Sequence, residues 1–350
     1  MEEKIRELLA GIVHPETGRD LASGGMIDSI SADSERIVLT LRFAKTRDPF
    51  AAKLKNQAQE LLSEAFPAAQ VTVVVREGAP RRAEPANKTT TGGIGRVIAV
   101  ASGKGGVGKS TVTANLAVAL RNMGYRTGIL DADIYGPSQP KMFGVEDYLP
   151  EAVHEEGIDQ IVPAESMGIS LMSIGFFIKP DDALLWRGAM AVNALKQLIH
   201  QTRWGRLDFL LADLPPGTGD IHLSIINELK IDTAVIVSTP QQVAVADVRR
   251  GVELFRNPQV NIPVAGIVEN MAWFTPAELP DNRYYLFGKG GAREFAESHG
   301  VDFLGDIPIV QSIMEGSDGG RPASAIDPRV EEHYRDIAGK IVDKLTKTEE

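Results

Sequence analysis

The chain has 350 residues, with 37 Lys+Arg against 47 Asp+Glu and a formal net charge of −10; at ~100–200 residues per domain this length accommodates two domains. Cysteine is absent, which excludes disulfides, a cysteine nucleophile, a thiolate metal site and a thiolate-held iron–sulfur cluster within this chain. The acidic balance argues against broad binding of nucleic acid, which runs on phosphate neutralisation, no apolar run approaches the ~20 residues that span a bilayer, and the charged start Met1–Glu7 lacks the apolar core of a secretory signal, so the expectation is a cytoplasmic protein with no nucleic-acid and no membrane partner.

In chain order, Ile5, Leu8, Leu9 and Ile12 have helical spacing. Ile27–Ile30 and Arg36–Phe43 read as strands about a polar turn at Ser31–Glu35. A helix over Phe50–Ala65 places Leu54, Ala58, Leu61 and Leu62 on one face, and the β-branched stretch Gln70–Val75 closes the unit as a strand. Residues 1–76 therefore predict a small α+β domain. Residues 77–95, rich in Pro, Gly, Thr and charge, predict a flexible linker. From 96 to 350 apolar runs alternate with helical patterns, the runs being Val97–Ala101, Thr127–Leu130, Phe209–Ala212, Ala234–Ser238 and Val264–Val268. Runs that are apolar throughout are the mark of parallel strands covered on both faces, so this unit predicts an α/β, doubly wound, mainly parallel sheet. The apolar stripe Ile337, Ile341, Val342 and Leu345 predicts a packed closing helix.

Gly103-Lys104-Gly105-Gly106-Val107-Gly108-Lys109-Ser110-Thr111 matches G-x-x-x-x-G-K-[ST] between the strand Val97–Ala101 and a helix over Thr113–Met123. Glycines let main-chain N–H groups turn inward around phosphate oxygens, and a helix N-terminus adds positive potential. Lys109 then reaches the β- and γ-phosphates and Ser110 ligates Mg²⁺. Lys104, an extra lysine inside the loop, adds positive charge where negative charge develops in phosphoryl transfer. Ile129–Asp133 and Phe209–Asp213 end strands in carboxylates, which can hold Mg²⁺ directly or through water; Asp131 reads equally as a strand-end cap. Gly217 and Gly219 give the loop after Asp213 freedom to move. Asn270, ending the strand Val264–Val268 in Val268-Glu269-Asn270-Met271, carries the donor and acceptor that adenine's N6/N7 edge requires, and Asp306-Ile307-Pro308 follows another short strand near the base. His14, His154, His200, His222, His299 and His333 show no ligand spacing and read as surface or packing residues.

Ser102–Thr111, Asp131–Ser138, Trp186-Arg187-Gly188, Asp213–Asp220 and Val268–Met271, in that order, resemble the Mrp/ApbC family, a branch of the MinD/ParA-type ATPases known as iron–sulfur cluster carriers. The first domain resembles the small domain fused to such proteins and associated with iron–sulfur assembly. The resemblance implies a P-loop NTPase fold and a homodimer that hydrolyses ATP to ADP and phosphate with Mg²⁺. In it, Lys104 reaches the partner's nucleotide, Asp133 positions or activates the attacking water, and Asp213 supports the metal. Asp133–Ser138 and Gly217–Asp220 act as switch loops. It also implies an iron–sulfur cluster as cargo, with apoprotein recipients or iron–sulfur assembly proteins as partners. Two positions depart from the family: its C-x-x-C pair is replaced by Ala272–Pro280, and the small domain's Cys-Pro by Asp48-Pro49. No cluster ligand is identifiable; a carboxylate at Asp48 or Glu278 is the remaining ligand type. Other readings of the same motifs are a MinD/ParA-like positioning ATPase, acting as a nucleotide-dependent interaction switch, and a metabolic ligase or kinase with Trp186-Arg187-Gly188 in its substrate pocket.

Overall fold

The computed structural model describes residues 2–15, 20–22, 26–32, 36–43, 48–67, 69–77, 93–155, 158–177 and 189–347. Most of the expected linker, and Trp186-Arg187-Gly188, lie outside the described residues. The chain divides into two compact units, Met1–Asn87 and Lys88–Glu350.

The first unit consists of α1 (Glu2–Leu9), β1 (Ile27–Ala32), β2 (Arg36–Phe43), α2 (Ala51–Ala65) and β3 (Gln70–Glu77). Its sheet has the order β1-β2-β3, antiparallel at β1/β2 and parallel at β2/β3. Alternate residues of β2 (Ile37, Leu39, Leu41, Phe43) meet Leu54, Ala58 and Leu62 of α2 and Ile5 and Leu9 of α1 in one core. The period of two on the strand and of three to four on the helices puts those side chains on single faces. Asp48 sits just before α2: its Oδ1 accepts the Phe50 amide at 2.9 Å, and its Oδ2 pairs with His14 Nε2 at 3.2 Å. His14 is buried, edge-on to Phe50 and tilted against Phe43. Both carboxylate oxygens of Asp48 are thus engaged in holding the fold.

The second unit opens with β4 (Ile94–Ala101), α3 (Lys109–Asn122), β5 (Thr127–Asp131) and the single turn α4 (Gln139–Met142). A small hairpin of β6 (Ala152–Glu155) and β7 (Ile158–Ile161) precedes β8 (Ala164–Ser166) and β9 (Ile169–Ser173). Then come α5 (Ala189–Gln201), β10 (Leu207–Asp213), α6 (Asp220–Glu228), β11 (Thr233–Ser238), α7 (Gln242–Arg256) and β12 (Val264–Phe274). α8 (Gly291–Ser298), β13 (Phe303–Ile309), α9 (Gln311–Asp318) and α10 (Pro328–Lys347) complete it. Among the described residues eight strands form one sheet, ordered β13-β12-β11-β4-β10-β5-β9-β8, with every pairing parallel except β8/β9.

The continuous apolar runs have a direct cause. On β4, Ile98 and Val100 enter one core while Val97, Ala99 and Ala101 enter the other; on β10, Phe209 and Leu211 oppose Leu210 and Ala212. α3 and α10 cover the first of these faces, through Val112, Leu116 and Leu120 and through Tyr334, Ile337 and Ile341. The expected α/β sheet, doubly wound and mainly parallel, is the observed one, with three differences. β6 to β9 carry no long β-branched run and are not visible in the pattern. α3 begins at Lys109 rather than Thr113, because Gly108, at φ 81°, turns the loop straight into the helix. Asp306–Pro308 lie inside β13 rather than after it.

Candidate phosphate and nucleotide site

β4, β5 and β10 are neighbours in the sheet and end at one level, and their main chains are tied where they end. Ala132 N donates to Asp213 O at 3.0 Å and Leu214 N to Val100 O at 3.1 Å. Ligands of open parallel sheets bind at such carboxyl ends. The loop Gly103–Gly108 leaves β4 there. A side chain at Gly103 would place its Cβ 2.1 Å from the Asp247 carbonyl oxygen on α7, and one at Gly108 would come 2.2 Å from Asn270 Nδ2. Both glycines are required by close approach of neighbouring groups.

A cavity of about 210 Å³ opens at the N-terminus of α3, lined by Ser102, Gly105, Gly106, Gly108–Thr111, Asp133 and Pro216. Lys109 is buried. Its Nζ donates to Asp213 Oδ1 and lies 3.2 Å from Ser110 Oγ and 3.6 Å from Asp133 Oδ2. Thr113 Oγ1 donates to the same Asp213 oxygen at 3.3 Å. Burial disfavours the Lys109 ammonium, but the carboxylates of Asp213, Asp133 and Asp131 outweigh that and hold its pKa above the ordinary lysine value.

Gln139, which sequence reasoning missed, ties the site together. Its Nε2 donates to Asp213 Oδ2 at 2.8 Å and to Ser110 O at 3.0 Å, and its main-chain N donates to Asp131 Oδ2 at 3.1 Å. Asp131, fully buried, also accepts from Ser173 Oγ at 2.9 Å and Asp133 N at 3.3 Å. Asp131 is therefore a brace behind the site and does not line the cavity. Burial, reinforced by Asp213, pushes its carboxyl up to about 7. Burial also raises Asp133, against the opposing pull of Lys109.

Asp131, Asp133 and Asp213 face one described ammonium, that of Lys109. A divalent cation beside Ser110 and Asp213 would redress this shortage of positive charge. Two buried oxygens nearby, Gln139 Oε1 and Ser102 Oγ, have no partner among the described residues and fit the hydration shell that Mg²⁺ keeps. Lys104 is exposed and stands outside the cavity lining.

A second cavity of about 630 Å³ shares Thr111 and is lined by Asn270, Met271, Phe287, Pro308, Ile309 and Ile313 among others. Its apolar walls suit a planar base. The Asn270 amide donates one N–H to Val107 O at 2.9 Å, so it steadies the phosphate loop from the base side.

Where the family resemblance expects a cysteine pair, Trp273 is buried, with the Arg283 guanidinium 4.3 Å from its ring and His333 6.0 Å away. Phe274 and Tyr284 exchange main-chain hydrogen bonds at 2.8 Å. This segment is an aromatic hairpin, and Glu278 within it is exposed. Among the described residues no group of three His, Asp or Glu side chains gathers as a metal site, and no helix is long and apolar enough to cross a membrane.

A parallel sheet with a glycine-rich phosphate loop feeding a helix, and strand-end carboxylates around the loop lysine, defines a P-loop NTPase of the MinD/ParA type. Sequence comparison sharpens this. Residues 93–345 match the ParA-type family described as NUBPL iron-transfer P-loop NTPase, and residues 2–75 match a family described as iron–sulfur cluster assembly protein. An iron–sulfur cluster carrier protein of Synechocystis is 35% identical over 345 residues, covering 97% of each chain. Another from Aquifex aeolicus is 46% identical over 260 residues, covering 73% of this chain and 69% of its own. A nucleotide-binding protein from Archaeoglobus fulgidus, solved in complex with ADP, superposes with a TM-score of 0.57 at 41% identity, covering 70% of this chain and 90% of its own. The cell-division ATPase MinD of Pyrococcus furiosus, at 23% identity, shares the fold with a TM-score of 0.53, covering 71% of this chain and 99% of its own. The chain belongs to the Mrp/NUBPL family of iron–sulfur cluster carrier P-loop NTPases.

Proposed function

We propose that this chain is a Mg·ATP-dependent, homodimeric ATPase that hydrolyses ATP to ADP and phosphate and serves iron–sulfur cluster delivery to apoproteins as the nucleotide-driven component, with the cluster's thiolates supplied by partner proteins. The observation that carries the reading is the cavity at the start of α3, with Lys109, Ser110 and Asp133 on its wall and Asp213 behind Lys109. The loop amides from Gly105 to Ser110 take phosphate oxygens, helped by the helix N-terminus. Lys109 turns from Asp213 to the β- and γ-phosphates. Ser110 and Asp213 hold the magnesium, which when bound neutralises charge on the phosphate oxygens. Asp133, with its carboxyl raised by burial, orients the attacking water. Asn270 and the apolar cavity beyond Thr111 take the adenine. Lys104, exposed at the loop's rim, is free to reach a second copy's nucleotide.

The relatives named as cluster carriers support a delivery role, and the absence of cysteine supports ligands supplied by other proteins. Lys109→Ala is expected to weaken ATP binding at least ~10-fold in calorimetry, whereas Asp133→Ala is expected to keep binding and lose ~100-fold or more in phosphate release. Unchanged hydrolysis in Lys109→Ala overturns the phosphate assignment. Lost binding in Asp133→Ala moves that residue to a structural role.

A further inference from the structure

Residues 214–219, between β10 and α6, bring Pro216 into the wall of the phosphate cavity. Main-chain bonds tie this segment to β4 and the residue after it: Leu214 N to Val100 O at 3.1 Å and Gly217 N to Ser102 O at 3.0 Å. A side-chain bond ties it to α6. His222, in the first turn of that helix, has Nε2 2.7 Å from the Pro215 carbonyl oxygen. A carbonyl can only accept, so the proton sits on Nε2 and Nδ1 is left with a lone pair. The ring is 2% exposed, and Nδ1 finds no partner among the described residues. Burial holds the His222 pKa below the ordinary histidine value, against the upward pull of the main-chain carbonyls of Pro215 and Gly219. An apolar side chain would fill the same space without an orphaned nitrogen. What the imidazole adds is the bond to Pro215, at the stiff end of a loop whose next residues include Gly217 at φ 91°.

We propose that His222 is a positioning residue for ATP hydrolysis, latching the Pro215 carbonyl so that the Pro216–Gly217 side of the phosphate cavity keeps its place. It touches no substrate and acts through the loop. The inference rests on the ATPase reading above for its kinetic consequence, but not for its structural one. Opening of the latch frees Gly217 N from Ser102 O and withdraws Pro216 from the cavity wall.

The test uses the full chain and three variants. Gln places its amide nitrogen at the reach of Nε2 and can renew the bond to Pro215; Asn places it nearer Nδ1 and falls short; Leu has no donor. Amide hydrogen exchange across residues 214–222 in the nucleotide-free protein is expected to match wild type in His222→Gln and to run about tenfold faster in His222→Asn and His222→Leu. With Mg·ATP, Asn and Leu are expected to lower kcat about tenfold with KM within about threefold, and Gln to restore kcat. Wild-type exchange in the Leu variant, or Gln and Asn behaving alike, overturns the latch. A raised KM with unchanged kcat overturns the positioning role. If Leu fails to fold, the Gln–Asn pair decides. If the wild-type chain hydrolyses no ATP, the ATPase reading fails, while exchange still judges the latch.

Discussion

Asp131 lies fully buried behind the phosphate cavity and accepts from Ser173, Gln139 and Asp133. With its carboxyl pushed up to about 7 by burial and Asp213, the folded chain holds a proton there that the unfolded chain releases near the ordinary carboxylate value. Between those two values the native state binds more protons, so this group lowers stability as pH rises from about 4 to 7 and contributes no further slope above that. Thermal unfolding across pH is the check. Asp131→Asn, which cannot titrate, is expected to lose this contribution, so its stability falls less, or rises more, with pH across this window than the wild type's. An identical slope in the two proteins would show that Asp131 titrates alike folded and unfolded.

At the scale of elements, the phosphate loop and α7 approach closely at Gly103. Gly103→Ala drives a Cβ to 2.1 Å from the Asp247 carbonyl oxygen, a main-chain atom that cannot swing aside. The expected result is a loss of about 2 kcal/mol or more by denaturant unfolding, the scale of an overpacked core site, together with weaker nucleotide binding as the loop shifts. The loop itself was legible because its chemistry is local: a handful of consecutive residues, a strand before and a helix after. Lys109 and Ser110 line the cavity and Asp133 joins them, as their positions in the motifs imply. Gln139 and His222 were not legible. Gln139 acts on Asp213, 74 residues away along the chain, through a polar side chain in an unremarkable turn. His222 became informative only when the fold buried it against Pro215. The short strands β6 to β9 escaped notice because none carries a long apolar run; β8 and β9 gain their partners from the sheet's edge. In the small domain β2 and α2 are legible almost to the residue, and β3, read from its β-branched stretch Gln70–Val75, extends two residues further to Glu77.

For the molecule as a whole, the absence of sulfur nucleophiles and the aromatic hairpin around Trp273 lead to one expectation. Anaerobic incubation of the purified chain with iron and sulfide is expected to yield no stable visible-absorbing cluster, with or without Mg·ATP; a stoichiometric, transferable cluster would mean that oxygen and nitrogen ligands suffice here. The resting partnership of Lys109 with Asp213 bears on what the empty protein will accept. The cradle is not a bare cationic cup, since it already carries an internal counter-anion on the chain itself. A simple anion that captures the lysine leaves the buried carboxylate with only the neutral donors Thr113 and Gln139 and no charge to balance it. A ligand that arrives as a complex of phosphate with a divalent cation satisfies both halves of the separated pair at once. On the proposed function, this pairing would screen the site against small anions and favour a metal-chelated nucleotide.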